Sequence, residues 1–268
     1  MAIFGASVGA APPALALSYD RLIIFGDSLS DTGNAGRFSN GPVWVEYMAR
    51  AIGTAAAPAR QGGTNFAVGG AHTGDGPFSL RAQVDHFLTT QPKADLRQGT
   101  LAVVYGGSND VRAAVYGGDG ATGVEDSLRA LHGILDDLCA SGVTEMLVPN
   151  LANIGLTPEA RRHGPDKAHE ARNVAATFNA RLEEVLYAVE MRWPVRIHRL
   201  DVFGLSEEAA RDPGRFGFRD VMTPCQGVSV AIRGCEGHVF WDSVHPTTAA
   251  HARLADAALA VLSHAAQR

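Results

Sequence analysis

A serine near the start of the chain lies where an exposed nucleophile is expected. Ser28 belongs to the string FGDSLSDTGN, which directly follows a short apolar run. A strand-to-helix turn at this point would expose the Ser28 hydroxyl and direct its backbone N–H at a developing oxyanion. Serine is also a common helix cap, so a purely structural role for Ser28 is the alternative.

A histidine near the other end of the chain has the context of a general base. His245 follows Asp242 by three residues and precedes Pro246 in the string DSVHP. On one short turn, the Asp242 carboxylate can reach Nδ1–H of the imidazole and fix its tautomer, which leaves Nε2 to take a proton from a serine. Most of the 10 histidines in the chain lack such a context. The spacing therefore favours His245 as a catalytic base.

Two glycine-rich segments could supply donors for an oxyanion. They are NFAVGGA at residues 65–71 and GGSND at residues 106–110. A glycine N–H can approach a substrate without a side-chain clash, and an asparagine amide adds a neutral donor. Each segment could equally be a tight turn, because Gly-Gly pairs are common turn signals.

Taken together and in this order, the four segments resemble the sequence blocks of the GDSL, or SGNH, hydrolase family over residues 22–247. In that resemblance, five residues match the family's catalytic positions: the nucleophile Ser28, the oxyanion donors Gly70 and Asn109, and the acid–base pair Asp242 and His245. The Ser28 N–H is the further oxyanion donor. Gly69 stays an alternative to Gly70, because sequence cannot separate two adjacent N–H groups.

The resemblance implies a three-layer α/β/α fold with a flavodoxin-like, parallel, five-stranded sheet. It also implies acyl transfer from an ester to water with neither a metal nor a nucleotide cofactor. The strings FGDSLSDTGN and FWDSVHPT are similar to secreted bacterial lipolytic members, which include lysophospholipases and glycerophospholipid acyltransferases. Those relatives often carry Pro-Asp where this chain has Ala152-Asn153.

Three other functions compete with hydrolysis of a lipid ester such as a lysophospholipid or phospholipid. A carbohydrate acetyl esterase would use the same chemistry in a shallower pocket. An acyltransferase would pass the acyl group to a lipid alcohol, and nothing in the residues decides between alcohol and water. A catalytically silent lipid- or glycan-binding module could share the fold.

The remaining acidic and aromatic residues near these motifs have more modest expected roles. We expect Asp27, Asp31 and Asp110 to hold turns by hydrogen bonding to the backbone. Four aromatic residues are candidates for an acyl pocket or for ordinary core packing: Phe216, Phe218, Phe240 and Trp241.

The elements that must position these residues alternate between strands and helices. Short apolar runs predict strands at residues 21–26, 64–68, 100–106, 143–149 and 195–200. Helical periodicity predicts helices at residues 43–52, 80–88, 124–140, 169–191 and 249–263. Residues 201–246 are rich in glycine, proline and aromatic residues and are expected to form a long irregular loop or cap. Ligands of such sheets bind beyond the carboxyl ends of the strands.

Composition excludes several classes of partner. The chain has 268 residues, with 23 Lys and Arg against 28 Asp and Glu, which offers no basic surface for nucleic acid. No run reaches the roughly 20 apolar residues of a membrane span. We expect residues 21–268 to form a single domain that contacts lipid surfaces transiently at most. The sequence does not indicate an oligomeric state.

Residues 1–20 and the cysteines suggest export to the periplasm or the medium. Residues 1–16 are small and apolar and end in Ala-Leu-Ala, which is typical of a signal-peptidase site, so residues 1–20 are interpreted as a flexible segment or signal remnant. Cys225 and Cys235 flank one loop and are predicted to form a disulfide, whereas Cys139 lies in a predicted helix. Two reduced thiols in a cytosolic protein are the alternative.

Overall fold

The sheet is parallel, so the carboxyl ends of its strands all lie at the same edge. The computed structural model describes residues 17, 19–90, 96, 98–117, 123–226 and 235–266. Within these residues, four strands lie side by side in chain order. Their bounds are β1 Arg21–Gly26, β2 Thr100–Tyr105, β3 Glu145–Pro149 and β4 Arg196–Leu200. All of β2 is buried, because helices cover both faces of the sheet.

The predicted strand at residues 64–68 lies beside β1 without forming a regular ladder. Three backbone hydrogen bonds of 2.7 to 3.1 Å join it to β1 in the parallel sense, with a single bridge between Ile24 and Asn65. At Gly26 the Gln83 side chain takes a pairing position that a strand would otherwise fill. Its amide oxygen accepts the N–H of Gly26, and its amide nitrogen donates to the carbonyl of Gly26. The segment therefore occupies the place of the fifth strand, and the Gln83 amide interrupts its pairing.

Helices flank the sheet on both sides, as the predicted three-layer fold requires. Their bounds are α1 Trp44–Ala51, α2 Leu80–Thr90, α3 Ser108–Tyr116, α4 Val124–Ala140, α5 Pro158–Arg162, α6 Pro165–Arg192, α7 Val202–Arg211 and α8 Thr248–Ala266. α1 packs against α8, and α4 packs between α2 and α6. The five predicted helices correspond to α1, α2, α4, α6 and α8, with α6 beginning four residues before its predicted start.

The prediction that residues 201–246 are irregular throughout was wrong, because this segment contains α7. Asp201 caps the helix by accepting the N–H of Gly204 at 2.9 Å. Gly204 and the Asp-Pro-Gly that follows α7 resemble a loop in sequence. The apolar residues of α7 recur at helical spacing and face a cavity.

The predicted disulfide between Cys225 and Cys235 is present, and Cys139 is a buried free thiol. The proposed signal at residues 1–16 lies outside the described residues. Nearby, the Tyr19 hydroxyl donates to the Glu145 carboxylate at 2.9 Å. No helix in the described part of the chain has both the length and the apolar character to cross a membrane.

Candidate active site

The turn after β1 presents Ser28 at the carboxyl edge of the sheet. The Asp27 carboxylate accepts the N–H of Leu29 at 2.9 Å and so closes the turn around Ser28. Asp27 thus bonds the backbone within its own turn, as expected, and is itself buried. Burial raises the pKa of Asp27 to about 6. Ser28 is 8% exposed, so its hydroxyl is reached through a cavity.

The turn before α8 brings an imidazole to the Ser28 hydroxyl. His245 Nε2 lies 2.9 Å from Ser28 Oγ, and His245 Nδ1 lies 2.7 Å from Asp242 Oδ2. The other carboxylate oxygen of Asp242 accepts the N–H groups of Val244 and His245 at 2.8 and 2.7 Å. The same carboxylate therefore shapes the turn and orients the ring.

The electrostatic environment keeps Asp242 ionised. Burial alone would raise the pKa of Asp242, but hydrogen bonds from the His245 ring and from the N–H groups of Val244 and His245 outweigh it. The pKa of Asp242 is therefore lowered. An ionised carboxylate at Nδ1 stabilises the imidazolium that would form if His245 took a proton from Ser28.

The disulfide lies next to the strand-like stretch that leads into this turn. The N–H of Cys225 donates to the carbonyl of Phe240 at 3.0 Å, and the N–H of Gln226 donates to the carbonyl of Trp241 at 2.8 Å. Trp241 immediately precedes Asp242. The cross-linked segment is therefore bonded to the backbone that carries the acid–base pair.

The two adjacent glycines, Gly69 and Gly70, are held differently. The N–H of Gly69 donates to Asp31 at 2.8 Å, and a Cβ at Gly69 would lie 2.2 Å from the Phe38 ring. Gly70 has a φ of +80°, and a Cβ there would meet only open space. Among the residues described, none accepts the backbone N–H of Gly70 or of Ser28. These two N–H groups are thus available to a ligand, whereas that of Gly69 is not.

Asn109 is tied to the same loop by its side chain. Asn109 Nδ2 donates to the carbonyl of Ala71, the residue after Gly70, at 2.9 Å. Because an amide nitrogen carries two hydrogens, the second remains to be donated elsewhere. Asn109 lines the cavity that also exposes Ser28 and His245. The structure thus brings Ser28, Asn109 and His245 to one cavity, with Asp242 bonded to His245, and places Gly70 beside the residue that Asn109 bonds. Gly70 is not among the residues that line the cavity.

Two residues that support the site were not recognised from the sequence as doing so. Asp31 was expected to hold its own turn, but it also bonds Gly69 across 38 residues. Phe38 packs between Gly69 and His245, with ring centroids of Phe38 and His245 5.2 Å apart. No local pattern marks either contact, because the partners meet only in the folded chain.

Asp110, the third aspartate expected to hold a turn, is fully buried and accepts hydrogen bonds from the backbone N–H and the hydroxyl of Thr73.

An apolar cavity of about 180 Å³ extends from Ser28. Much of its wall comes from α7 and from the segment after it, through Val202, Leu205, Ala209, Phe216, Phe218 and Phe240. Three of the four aromatic candidates are therefore lining residues, and Trp241 is not among those that line this cavity. Ala152 and Asn153 also contribute to the wall.

The comparison with protein families agrees with this geometry. The family described as GDSL-like Lipase/Acylhydrolase matches residues 22–258, which is most of the chain. The chain belongs to this family. It is therefore a carboxylic ester hydrolase of the GDSL type, as the resemblance in sequence predicted.

Individual relatives span much of the chain at low identity. A phosphatidylcholine-sterol acyltransferase of Aeromonas hydrophila is 26% identical, over 90% of this chain and 89% of that protein. A thermolabile hemolysin of Vibrio parahaemolyticus is 26% identical, over 88% of this chain and 62% of that protein.

Solved structures of esterases share the fold. An acetylxylan esterase from Geobacillus stearothermophilus superimposes with a TM-score of 0.56 at 14% identity, covering 92% of this chain and 96% of that chain. At that identity, the likeness concerns the fold alone.

Proposed function

We propose that this GDSL hydrolase cleaves acyl lipid esters through an acyl-enzyme on Ser28, with His245 as general base and Asp242 as its partner. One observation carries the proposal: hydrogen bonds link Ser28 Oγ to His245 Nε2 at 2.9 Å and His245 Nδ1 to the Asp242 carboxylate at 2.7 Å, and Ser28 opens onto an apolar cavity. Ser28 Oγ attacks the ester carbonyl carbon while His245 Nε2 takes its proton.

The developing oxyanion is stabilised by three neutral donors: the N–H groups of Ser28 and Gly70 and the side chain of Asn109. The free state of both backbone N–H groups supports this assignment. His245 then protonates the leaving alkoxide, and an acyl-enzyme remains. Water attacks the acyl carbon while His245 takes one of its protons. His245 then returns that proton to Ser28 Oγ as the carboxylic acid leaves, which regenerates the enzyme. Each donor contributes about 3 to 4 kcal/mol to lowering the barrier.

The lining of the cavity supports a lipid acyl chain as the substrate group. The side chains of α7 and of Phe216, Phe218 and Phe240 leave few polar partners for a sugar, whereas they can bury methylene groups at about 0.8 kcal/mol each. The acyltransferase of Aeromonas hydrophila, similar over 90% of this chain, supports a phospholipid or lysophospholipid. Transfer to a lipid alcohol in place of water would use the same acyl-enzyme.

A carbohydrate acetyl esterase is the second candidate, because the acetylxylan esterase shares this fold. An acetyl group would leave most of the 180 Å³ cavity unfilled. A series of p-nitrophenyl esters separates the two candidates: we expect kcat/KM to rise from acetate to medium-chain esters. A sharp maximum at acetate, together with no turnover of lysophospholipid, would refute the lipid assignment.

The direct test is the analysis of products from defined phospholipids and lysophospholipids. Wild-type protein should release free fatty acid, and transfer should appear as an acylated alcohol when a lipid alcohol is added. Ser28→Ala should abolish both products and leave thermal unfolding unchanged, because the loss of one hydroxyl at the surface of a cavity contributes little to stability. Ester turnover by Ser28→Ala would overturn the assignment of the nucleophile.

The cavity itself can be tested by narrowing it from α7. Ala209→Phe fills part of the cavity wall, so the preferred acyl chain should shorten while acetate turnover persists. Ala140→Phe, at the exposed end of α4, is the matched control and should leave the preference unchanged. An unaltered chain-length profile in Ala209→Phe would show that this cavity does not bind the acyl chain of the substrate.

We propose further that residues 21–268 act as one domain, exported from the cytoplasm, that contacts lipid surfaces transiently during turnover. The disulfide between Cys225 and Cys235 supports an oxidising compartment. Thiol titration of unfolded, unreduced protein purified from its native host should find one reactive cysteine, Cys139. Three reactive thiols would contradict export.

A further inference from the structure

The amide of Asn109 is fixed at both of its ends by protein groups. Its Nδ2 donates to the carbonyl of Ala71 at 2.9 Å, and its Oδ1 accepts from Arg112 Nη1 at 3.2 Å. An asparagine amide turned by 180° about χ2 would exchange its donor and acceptor ends. The turned amide would face Ala71 with an acceptor and Arg112 with a donor, so both neighbours disfavour it. The fixed orientation keeps the second N–H of Asn109 free.

Arg112 is itself held rigidly. Its Nε and Nη2 donate to the two carboxylate oxygens of Glu159 at 2.7 and 2.8 Å, which is a bidentate pairing. Glu159 is the more buried partner, with a side chain 18% exposed. Arg112 lies one turn after Asn109 on α3, so the same guanidinium can serve both residues.

Glu159 connects this arrangement to the acid–base turn. It lies in the first turn of α5, and its backbone N–H donates to the carbonyl of Ser243 at 2.9 Å. Ser243 lies between Asp242 and His245. The ion pair therefore joins the helix that carries Asn109 to the turn that carries His245.

We propose that Arg112, held by Glu159, is a positioning residue that orients the Asn109 amide as an oxyanion donor. The inference rests on the proposed function and adds to it a residue outside the four sequence segments' catalytic set. Neither Arg112 nor Glu159 touches the reacting atoms. Their loss frees the Asn109 amide to rotate, and an amide oxygen turned toward the oxyanion repels the transition state. Ground-state binding changes little, because the negative charge develops only in the transition state.

Two substitutions remove the pairing from either side. Arg112→Gln and Glu159→Gln should each lower kcat for a p-nitrophenyl ester about tenfold to hundredfold, somewhat less than the loss of a whole donor, while KM changes by less than about twofold. Glu190→Gln is the matched control, because Glu190 forms a similar pair with Arg199 on the surface, at 2.7 Å. It should leave kcat unchanged.

A double-mutant cycle with Asn109→Ala separates positioning from a general structural effect. If Arg112 acts through Asn109, Arg112→Gln lowers kcat in the wild-type background and has almost no further effect in Asn109→Ala. An equal loss in both backgrounds, a loss shared by Glu190→Gln, or unchanged kcat in folded Arg112→Gln and Glu159→Gln overturns the inference. Those results leave the proposed function intact, whereas wild-type protein without ester turnover overturns both.

Should Arg112→Gln fail to fold, as judged by thermal unfolding, Glu159→Gln carries the same cycle. It retains a side chain of the same shape and leaves the backbone bond to Ser243 in place. A trifluoromethyl ketone that mimics the tetrahedral intermediate provides a second readout. Its inhibition constant should rise with the loss of kcat, and an unchanged constant in the variants overturns the inference.

Discussion

Replacing Asp31 with asparagine should loosen the two loops that carry the proposed backbone oxyanion donors. Asp31 is fully buried between the Ser28 turn and the Gly69 loop. Its Oδ1 accepts the N–H groups of Gly33 and Asn34, both at 2.7 Å. Its Oδ2 accepts those of Ala35 at 3.0 Å and Gly69 at 2.8 Å.

The size of the effect follows from the four acceptor contacts. Asparagine keeps one oxygen and places an NH₂ group where the other stood, so two backbone N–H groups lose their acceptor and face another donor. Hydrogen bonds to charged groups contribute about 1.5 to 3 kcal/mol each. Removing a buried charge recovers part of this through relief of desolvation. We therefore expect Asp31→Asn to lower the free energy of unfolding by about 3 kcal/mol.

Urea unfolding followed by tryptophan fluorescence measures this loss of unfolding free energy. A lower kcat for a p-nitrophenyl ester, measured on folded Asp31→Asn, would show that the proposed oxyanion donors are held less firmly. Asp75→Asn, an exposed aspartate in a nearby loop, is the matched control and should change the free energy of unfolding by less than about 0.5 kcal/mol. If Asp31→Asn and Asp75→Asn unfold alike with unchanged kcat, the role given to Asp31 in joining the loops is refuted.

Three further variants test the charges of Asp27 and Asp242 and the disulfide. The pKa of Asp27 is about 6 in the folded protein against 3.8 for a free side chain, so the contribution of Asp27 to stability falls as the pH rises from about 4 to 6. Urea unfolding should show that, across this range, the wild type loses on the order of 3 kcal/mol of unfolding free energy relative to Asp27→Asn. Asp242→Asn should lower kcat by about 10³ to 10⁴, because the amide no longer holds the His245 tautomer. Replacing Cys225 and Cys235 together with serine should lower the free energy of unfolding by about 2 to 3 kcal/mol, and activity should be lost at lower temperature than the global fold.

Each of these expectations has a result that contradicts it. Equal pH dependence of unfolding in wild type and Asp27→Asn would mean that the Asp27 pKa is not raised. An Asp242→Asn variant within about tenfold of wild-type kcat would exclude Asp242 as the orienting acid. Coincident loss of activity and fold in the cysteine variant would show that the cross-link does not act on the His245 turn in particular.

The elements and motifs that depend on local pattern could be predicted from the sequence. The apolar run of β2 and the periodicity of α4 each specify their own element, and α4 has the bounds that were predicted. The three-residue spacing of Asp242 and His245 defines a turn that needs no distant partner to bring carboxylate and ring together.

Features that depend on distant partners could not be predicted. The short pairing of residues 64–68 with β1 is decided by Gln83, which is 57 residues from Gly26. The difference between Gly69 and Gly70 is decided by Asp31 and Phe38. The apolar side chains of α7 face a cavity that exists only in the folded chain. Gly204 also interrupts the helical pattern of α7 in the sequence. In each case tertiary contacts override or complete the local signal.

The hydrogen bond between His245 and Ser28 spans 217 positions of the chain. A polypeptide that has folded around Ser28 before residue 245 is synthesised holds a hydroxyl without this proton acceptor. If Ser28 and His245 act as proposed, we expect ester turnover only once residue 245 has been added to the chain and has packed against the Ser28 turn. Cleavage of the chain anywhere between residues 28 and 245 should likewise abolish ester turnover once the two pieces separate, even where the sheet survives.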